Sequence, residues 1–427
     1  MNFFKNLKKN IDNGTIFMLN SYLLILFPWM LITGPFLSDL IISLSGLIFI
    51  IESICRRMWF YYKKPLVWAF GIFYFYLLAR SLLSVDIMLS LESSIFYFRY
   101  LFFVLAIIHC CDHHSLFIKR LSYSGIIALI IVSLDGYLQY FTGYNSLMMK
   151  QLHPLRVSGF FGEELILGSY LSRLIPIFFG LYLFIHRPLT PKYLFPILLL
   201  LILVDVLVFI AGERTALFNL SLFTLALMIC SSQFKLLRSL TFLISLSIMS
   251  ILLYFNPVHK ERMINQTITQ MGLQSDTKFQ IFSEQHQAHY ITALKMFQDN
   301  PLFGQGPKLF RKLCSQKPFF YPRSCSTHPH HTYLQLMAEG GIIAAIPIFI
   351  FFLYLICLLA RQALIIWTPL FNEKKLLSDT QICLILAILI SLNPLVPSNS
   401  FFTNWIGGIY YLPLGILFSK TVLKKLN

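Results

Sequence analysis

Apolar residues in this chain fall into long runs, separated by short polar stretches rich in Lys, Arg, Gly and Pro. A run of roughly 20 apolar residues is long enough for a helix to cross the hydrocarbon layer of a bilayer. The runs predict about twelve membrane-spanning helices, near residues 15–36, 38–55, 65–83, 93–110, 120–141, 164–185, 193–211, 214–232, 238–255, 332–358, 378–393 and 401–419. The pairs 15–55 and 378–419 carry the most breakers. The first run is too long for the core of a cleavable signal and lacks a small-residue cleavage site. Two polar segments remain between spans, at about 142–163 and 256–331. In the longer one, Val258, Met263, Ile264, Ile268 and Met271 recur at helical spacing, as do Phe279, Phe282, Tyr290, Ala293, Leu294 and Phe297, which predicts amphipathic helices. Asn300-Pro301 and Gly304-Gln305-Gly306-Pro307 then break the pattern. The predicted class is all-α: a polytopic membrane protein with one large helical loop outside the membrane. It divides into an N-terminal transmembrane bundle (1–255), the loop (256–331) and C-terminal transmembrane helices (332–427).

Composition supports this reading. Hydrophobic residues make up 57% of the chain and charged residues 12%, where a soluble domain carries about 25% charged. That excludes a soluble enzyme, a disordered chain and a disulfide-rich secreted domain. The net charge of +16 comes from 34 Lys and Arg against 18 Asp and Glu. Nineteen of those cations, including Arg56, Arg57, Lys63, Lys64, Arg238 and Lys420, fall on one side of the predicted topology. Only Lys150, Arg156 and Arg214 fall in the short loops of the other side. The positive-inside rule then puts both termini in the cytoplasm and the large loop outside. The charge excess is topological and favours anionic membrane lipids; it makes no case for nucleic acid.

Three segments carry candidate chemistry. His328-Pro329-His330-His331 opens the late span at 332. Pro329 suits a first helical position, which would put His330 and His331 in the first turn. There the helix dipole opposes an imidazolium; a neutral imidazole can act as general base, and the helix start can hold an anion. Gln335 and Glu339 follow His331 at four-residue steps and share its face. Glu339 is thereby roughly 12 Å deeper and reads as a supporting residue. The plain alternative for the histidines is an interfacial polar cap. The second segment, Gly212-Glu213-Arg214-Thr215-Ala216, is a tight turn bearing an arginine at the membrane edge, a costly position that points to function. Its plain alternative is an interfacial arginine with Glu213 as counter-ion. The third holds Arg156, Gly159 and Gly162, followed by Arg173 within a span. Arg80 and Arg99 also lie within spans, and pairing of Arg80 with Asp86 or Glu92 is the plain account of the first. Arginines bind phosphate in a planar fork, so the pattern predicts an anionic ligand on the outer side. No acidic pair lies outside to carry a metal, and the scheme is arginine-bound phosphate with a histidine base, without metal or cofactor. Cys314 and Cys325, eleven positions apart in the outer loop, are a candidate disulfide if that compartment is oxidising.

These motifs resemble the O-antigen ligase and polymerase superfamily of bacterial envelope enzymes. His-Pro-His-His-x-x-Leu-Gln-x-x-x-Glu-x-Gly opens the late span, Gly212-Glu213-Arg214-Thr215-Ala216 is similar to a Gly-Ser-Arg-x-Ala turn, and the segments from Arg156 and from Asn300 match two further patterns. The resemblance covers nearly the whole chain. It implies a glycosyltransferase in the bacterial inner membrane, its active site facing the periplasm. The donor would be an undecaprenyl-diphosphate-linked glycan and the acceptor lipid A–core or another glycan. Catalytic roles map onto His330 and Arg214, donor diphosphate binding onto Arg156, Arg214 and Arg173, and support onto His331, His328 and Glu339. Residue 331 is usually Asn in the family, which leaves open which of His328, His330 and His331 is the base. A single displacement would invert the anomeric centre. A polymerase or a protein O-glycosylating enzyme of the same superfamily shares this chemistry. A lipid-linked glycan transporter or flippase would also use intramembrane arginines, but a folded outer loop with a histidine at a helix start favours the enzyme. The topology makes a direct prediction: a reporter fused at Lys235 should read as cytoplasmic and one at Asn145 as periplasmic, and the reverse pattern would put the candidate site on the wrong leaflet.

Overall fold

The computed structural model describes residues 14–231, 233–271, 281–368 and 376–423. Phe279 and the basic residues Lys5, Lys8, Lys9, Lys374, Lys375, Lys424 and Lys425 lie outside them. Every regular element among the described residues is helical: α1 Thr15–Met30, α2 Pro35–Cys55, α3 Pro65–Leu82, α4 Ile87–Ser94, α5 Arg99–His113, α6 Phe117–Thr142, α7 Leu167–Ile185, α8 Pro191–Ile210, α9 Arg214–Cys230 and α10 Lys235–Phe255. There follow α11 Pro257–Lys260, running through a wider turn at Glu261–Asn265 into α12 Gln266–Gln270, then α13 Glu284–Asp299, α14 Phe310–Leu313, α15 Thr332–Trp367, α16 Asp379–Ser391, α17 Asn404–Leu417 and α18 Lys420–Leu423. The chain is an all-α polytopic membrane protein. Eight helices among the described residues are long and apolar enough to cross a membrane, with α4 and α5 acting as one. Four of the twelve expected spans are shorter apolar helices: α1, α9, α16 and the apolar part of α17. Local breakers shorten them. Thr33-Gly34-Pro35 separates α1 from α2, Gly212 adopts a positive φ of 68° just before α9, and Asn393-Pro394 follows α16.

Helix starts follow local chemistry. Pro occupies the first turn of α2, α3, α8 and α11, where its missing N–H costs nothing. Ser378 and Gln381 form a reciprocal capping box at α16. The bundle centre is α7, packed against α6, α8, α9 and α16. One buried charge pair staples α8, α9 and α10: Arg238 donates to both Asp205 oxygens at 2.7 and 2.8 Å and to the Thr224 hydroxyl, while Ser245 Oγ donates to Asp205 at 3.0 Å. Arg238 is therefore not one of the free loop cations it resembles in the sequence; it is paired with Asp205 inside the bundle.

The late helix α15 is broken. Gly341 has φ 67° and ψ −171°, which interrupts the helical ladder. The freed groups are taken up by Pro301–Gly306. Gln305 N donates to Ala338 O (2.8 Å) and Gly306 N to Glu339 O (2.7 Å), while Ile342 N donates to Pro301 O (2.9 Å). Backbone groups buried away from water need such partners. Arg80 closes the junction from α3, donating through Nε to the Phe303 and Gly304 carbonyls, both at 3.0 Å. It does not pair with Asp86 or Glu92, which bind Lys312 and Lys308. Arg99 instead meets Asp39 at 2.9 Å.

Beyond the membrane helices, α13, α14 and the start of α15 enclose a small second core of Ala293, Met296, Leu309, Phe310, Leu313, Phe319 and Ala338. Cys314 and Cys325 form a disulfide beside it, their Cα atoms 5.2 Å apart. Gly304, itself at φ 64°, would drive a Cβ to within 2.5 Å of Gly341 N. Gly304→Ala should therefore destabilise by more than the roughly 1–2 kcal/mol of a left-handed non-glycine residue. A lower melting midpoint of the detergent-solubilised variant is the expected reading, and an unchanged midpoint would remove this account of the junction.

Candidate functional site

Asp135 and Gln139 near the end of α6 organise the loop that follows. Asp135 accepts from Ser146 N at 2.8 Å, and the Gln139 side chain accepts from Ser158 N (2.9 Å) and Gly159 N (2.7 Å). This brings Arg156 against the Gly212 turn. Gly212 has no Cβ to offer, and one would lie 3.0 Å from Leu155 O and 3.2 Å from both the Arg156 and Arg262 Cγ atoms. The glycine thus lets two arginine stems meet over one turn. Arg262 Nε donates to Gly212 O at 3.0 Å, and Arg156 Nη2 donates to Leu165 O at 2.9 Å.

The result is a pocket of about 350 Å3 whose walls include Arg156, Arg173, Arg214, Arg262, Glu213 and His330, with His286 and the loop residues Pro397, Ser398 and Asn399. Four guanidiniums face a single carboxylate. Glu213 is not the counter-ion of Arg214. It accepts from Gly168 N (2.7 Å), Ser169 N (3.0 Å) and Ser169 Oγ (2.7 Å), so it caps the start of α7, and it lies 3.8 Å from Arg156. Burial raises its pKa, opposed by Ser169 and Arg156. Arg214 is held by neutral groups, Thr267 Oγ1 at 2.9 Å and Gln270 Oε1 at 2.5 Å. Arg173 is buried, donates to Ser169 O at 3.3 Å, and its Nε has no hydrogen-bond partner among the described residues. Burial, followed by the charges of Arg214 and Arg156, pulls Arg262 down to about 10. The residues of the pocket are thus short of negative charge.

The histidines are arranged differently from the sequence expectation. Helix α15 starts at Thr332, with His331 as its N-cap, so Pro329 is outside the helix and His330 lies before it in a left-handed conformation (φ 55°). Both nitrogens of His331 are engaged: Nδ1 accepts from Leu334 N (3.3 Å) and Nε2 donates to Pro394 O (3.0 Å). Only His330 of the three lines the pocket. Its Nε2 meets Ser326 Oγ at 3.1 Å. His328 lies against His330 at a tilt of 41°, 4.1 Å between ring centres, and His289 and His286 approach at 5.4 and 5.6 Å. Burial, then the neighbouring His328, lowers His330 to about 3. Burial lowers His328 to about 4. Both rings are neutral at pH 7. Glu339 does not reach the pocket; it bonds Gln335 Nε2 (3.0 Å) and Phe310 N (3.0 Å), tying α15 to α14. The opposite wall is laced to the start of α15, with Ser398 N donating to His330 O (2.9 Å) and Phe401 N to Gln335 Oε1 (2.8 Å). Among the described residues, no group of three or more His, Cys, Asp or Glu side chains is arranged to hold a metal ion.

The structure brings Arg156, Arg173, Arg214 and His330 together and leaves His328, His331 and Glu339 as neighbours. Arg262 and His286 were missed by sequence reasoning. Both lie on amphipathic helices, where the apolar positions draw attention and the polar ones read as a solvated face; Arg262 is one of nine Lys and Arg between residues 256 and 331, so charge alone does not single it out. Residues 196–349, from α8 into the second half of α15, match the family model for O-antigen ligase. No curated protein matches the chain. The matched segment contains Arg214, Arg262 and the histidines, and it supports a ligase- or polymerase-type glycosyltransferase of that superfamily.

Both depressed histidines make stability depend on pH. Their folded pKa values lie below the unfolded value of about 6.5, so the unfolded chain takes up protons first as pH falls. The contribution is complete above about pH 6.5 and falls towards pH 4, by up to about 1.4 kcal/mol per pH unit for each histidine. The melting midpoint of purified protein should drop between pH 7 and 5, and the drop should be shallower in His330→Ala. An equal slope in the variant would show that His330 is not the buried neutral group described.

Proposed function

We propose that this pocket transfers a glycan from an undecaprenyl-diphosphate-linked donor to lipid A–core, on the periplasmic face of the bacterial inner membrane. The observation that carries the reading is the convergence of Arg156, Arg173, Arg214 and Arg262 with His330 on one pocket. Guanidinium groups match the paired oxygens of a diphosphate. Their spare donors are fixed before the ligand arrives, the condition under which electrostatic stabilisation of a leaving group is most effective. With Ser326 Oγ accepting from the Nε2–H of His330, the Nδ1 lone pair is the basic site. That nitrogen takes the acceptor hydroxyl proton as the oxygen forms its bond to the anomeric carbon. The bond from that carbon to the diphosphate breaks, and its electron pair leaves on the diphosphate, against the arginines. One displacement on one face inverts the centre. The ring is neutral and able to accept a proton, and the negative charge of a bound diphosphate would raise its basicity.

Purified enzyme, lipid-linked donor and acceptor test this directly. His330→Ala should cost roughly 10²–10⁴ in rate with donor binding retained. Arg214→Lys should weaken both binding and turnover, because a point charge does not reproduce the fork. His331→Asn should be mild, because an Asn side chain is a strong N-cap and can replace Nδ1 on Leu334 N. Full activity of His330→Ala would end the assignment of the base. Separating ligase from polymerase needs the acceptor: lipid A–core should be used in preference to a second lipid-linked unit.

A further inference from the structure

A second polar pocket, of about 190 Å3, lies at the end of α5, shortly before α6 begins. Helix α6 is 26 residues long, roughly 39 Å at 1.5 Å per residue, and its far end carries the loop of Arg156. The second pocket is formed by Phe60, Tyr61 and Lys64 from the α2–α3 connection, Asp112 and His113 from the end of α5, and Lys420 from the start of α18. Asp112 is already engaged, accepting from Thr421 N at 3.2 Å and from its hydroxyl at 3.4 Å. Neither lysine ammonium forms a hydrogen bond or ion pair with a described residue; Lys64 only faces the Tyr61 ring, at 5.4 Å. Burial disfavours the Lys64 charge, Asp112 supports it, and the Lys420 charge opposes it. Two cations thus share a partly enclosed space with one occupied carboxylate. Trp59 and Phe60 stand beside it, 52% and 50% exposed, as interfacial aromatic residues do. Arg56, Arg57 and Lys63 lie in the same stretch.

We propose that this pocket binds the phosphate headgroup of an anionic phospholipid from the surrounding membrane. Basic pockets between transmembrane helices take such headgroups, and the phosphate would supply the acceptors that Lys64 and Lys420 lack. The acyl chains would lie along the exposed aromatic flank. The assignment is independent of the transferase reading, because it uses none of the arginine-pocket residues.

The test uses the full chain in neutral detergent, with the melting midpoint followed during titration with phosphatidylglycerol, with phosphatidylcholine and with inorganic phosphate. Phosphatidylglycerol should stabilise the wild type, and phosphatidylcholine should not. Lys64→Gln with Lys420→Gln should weaken the apparent affinity about thirtyfold, from roughly 1 kcal/mol per lysine. Lys64→Arg with Lys420→Arg should retain it. An equal midpoint of the Gln pair and wild type in phosphatidylcholine reports intact folding. If that pair does not fold, exposed Lys420→Gln alone should read about fivefold. Undiminished stabilisation of the Gln variants would overturn the proposal. Saturation by inorganic phosphate at the same concentration would overturn the lipid as the source.

Discussion

The break in α15 is the constraint on which the rest of the outer architecture depends. A helix interrupted at membrane depth leaves carbonyls and amides that lipid cannot satisfy. Here Pro301–Gly306 supplies the partners in both directions, giving amides to Ala338 and Glu339 and receiving one from Ile342. The contact requires two glycines back to back, since either Cβ would strike the other strand of the junction. Arg80 then becomes an acceptor-seeking group on the Phe303 and Gly304 carbonyls, which explains an arginine in a span without a carboxylate partner. Because the same helix begins at Thr332, fixing the break also fixes the height of His330 and the loop bonded to it.

The arginine pocket is held open by neutral groups. Carbonyls of Leu165, Ser169 and Gly212, with Thr267 and Gln270, orient the guanidiniums without cancelling their charge. The one carboxylate is largely spent on capping α7. Like charges repel more strongly where the dielectric is low, so gathering four guanidiniums around one carboxylate disfavours the free protein. A doubly charged ligand reverses the sign of that term. Under the proposed function, the arrangement trades stability of the free protein for affinity towards the diphosphate.

Much of this was legible in the sequence. Apolar runs gave the helices in the right order because bilayer length is a strict requirement. Arg173 and Arg214 stood out because charge is costly where they lie, Arg156 because it sits in a glycine-bearing loop between spans, and His330 because it opens a span. Other features were illegible for definable reasons. Arg238 looks like a loop cation because Asp205, its partner, is 33 positions away. Arg262 looks like the wet face of an amphipathic helix, and nothing local reveals that Gly212 waits beneath it. Pro329 is compatible with a helix start, yet the left-handed turn at His330 and the Ser398 amide on its carbonyl delay the helix to Thr332. Long-range hydrogen bonds decide these cases, and periodicity does not carry them.

The walls of the arginine pocket come from stretches of chain that are far apart in synthesis order, from Arg156 to Asn399. During biogenesis, the ribosome must deliver nearly the whole polypeptide before the last wall can close over His330. A nascent chain still lacking Pro397–Asn399 would have its cations and histidine on one side only, so the pocket is complete only once nearly the whole chain has been inserted. Truncated or stalled products would then lack a complete pocket.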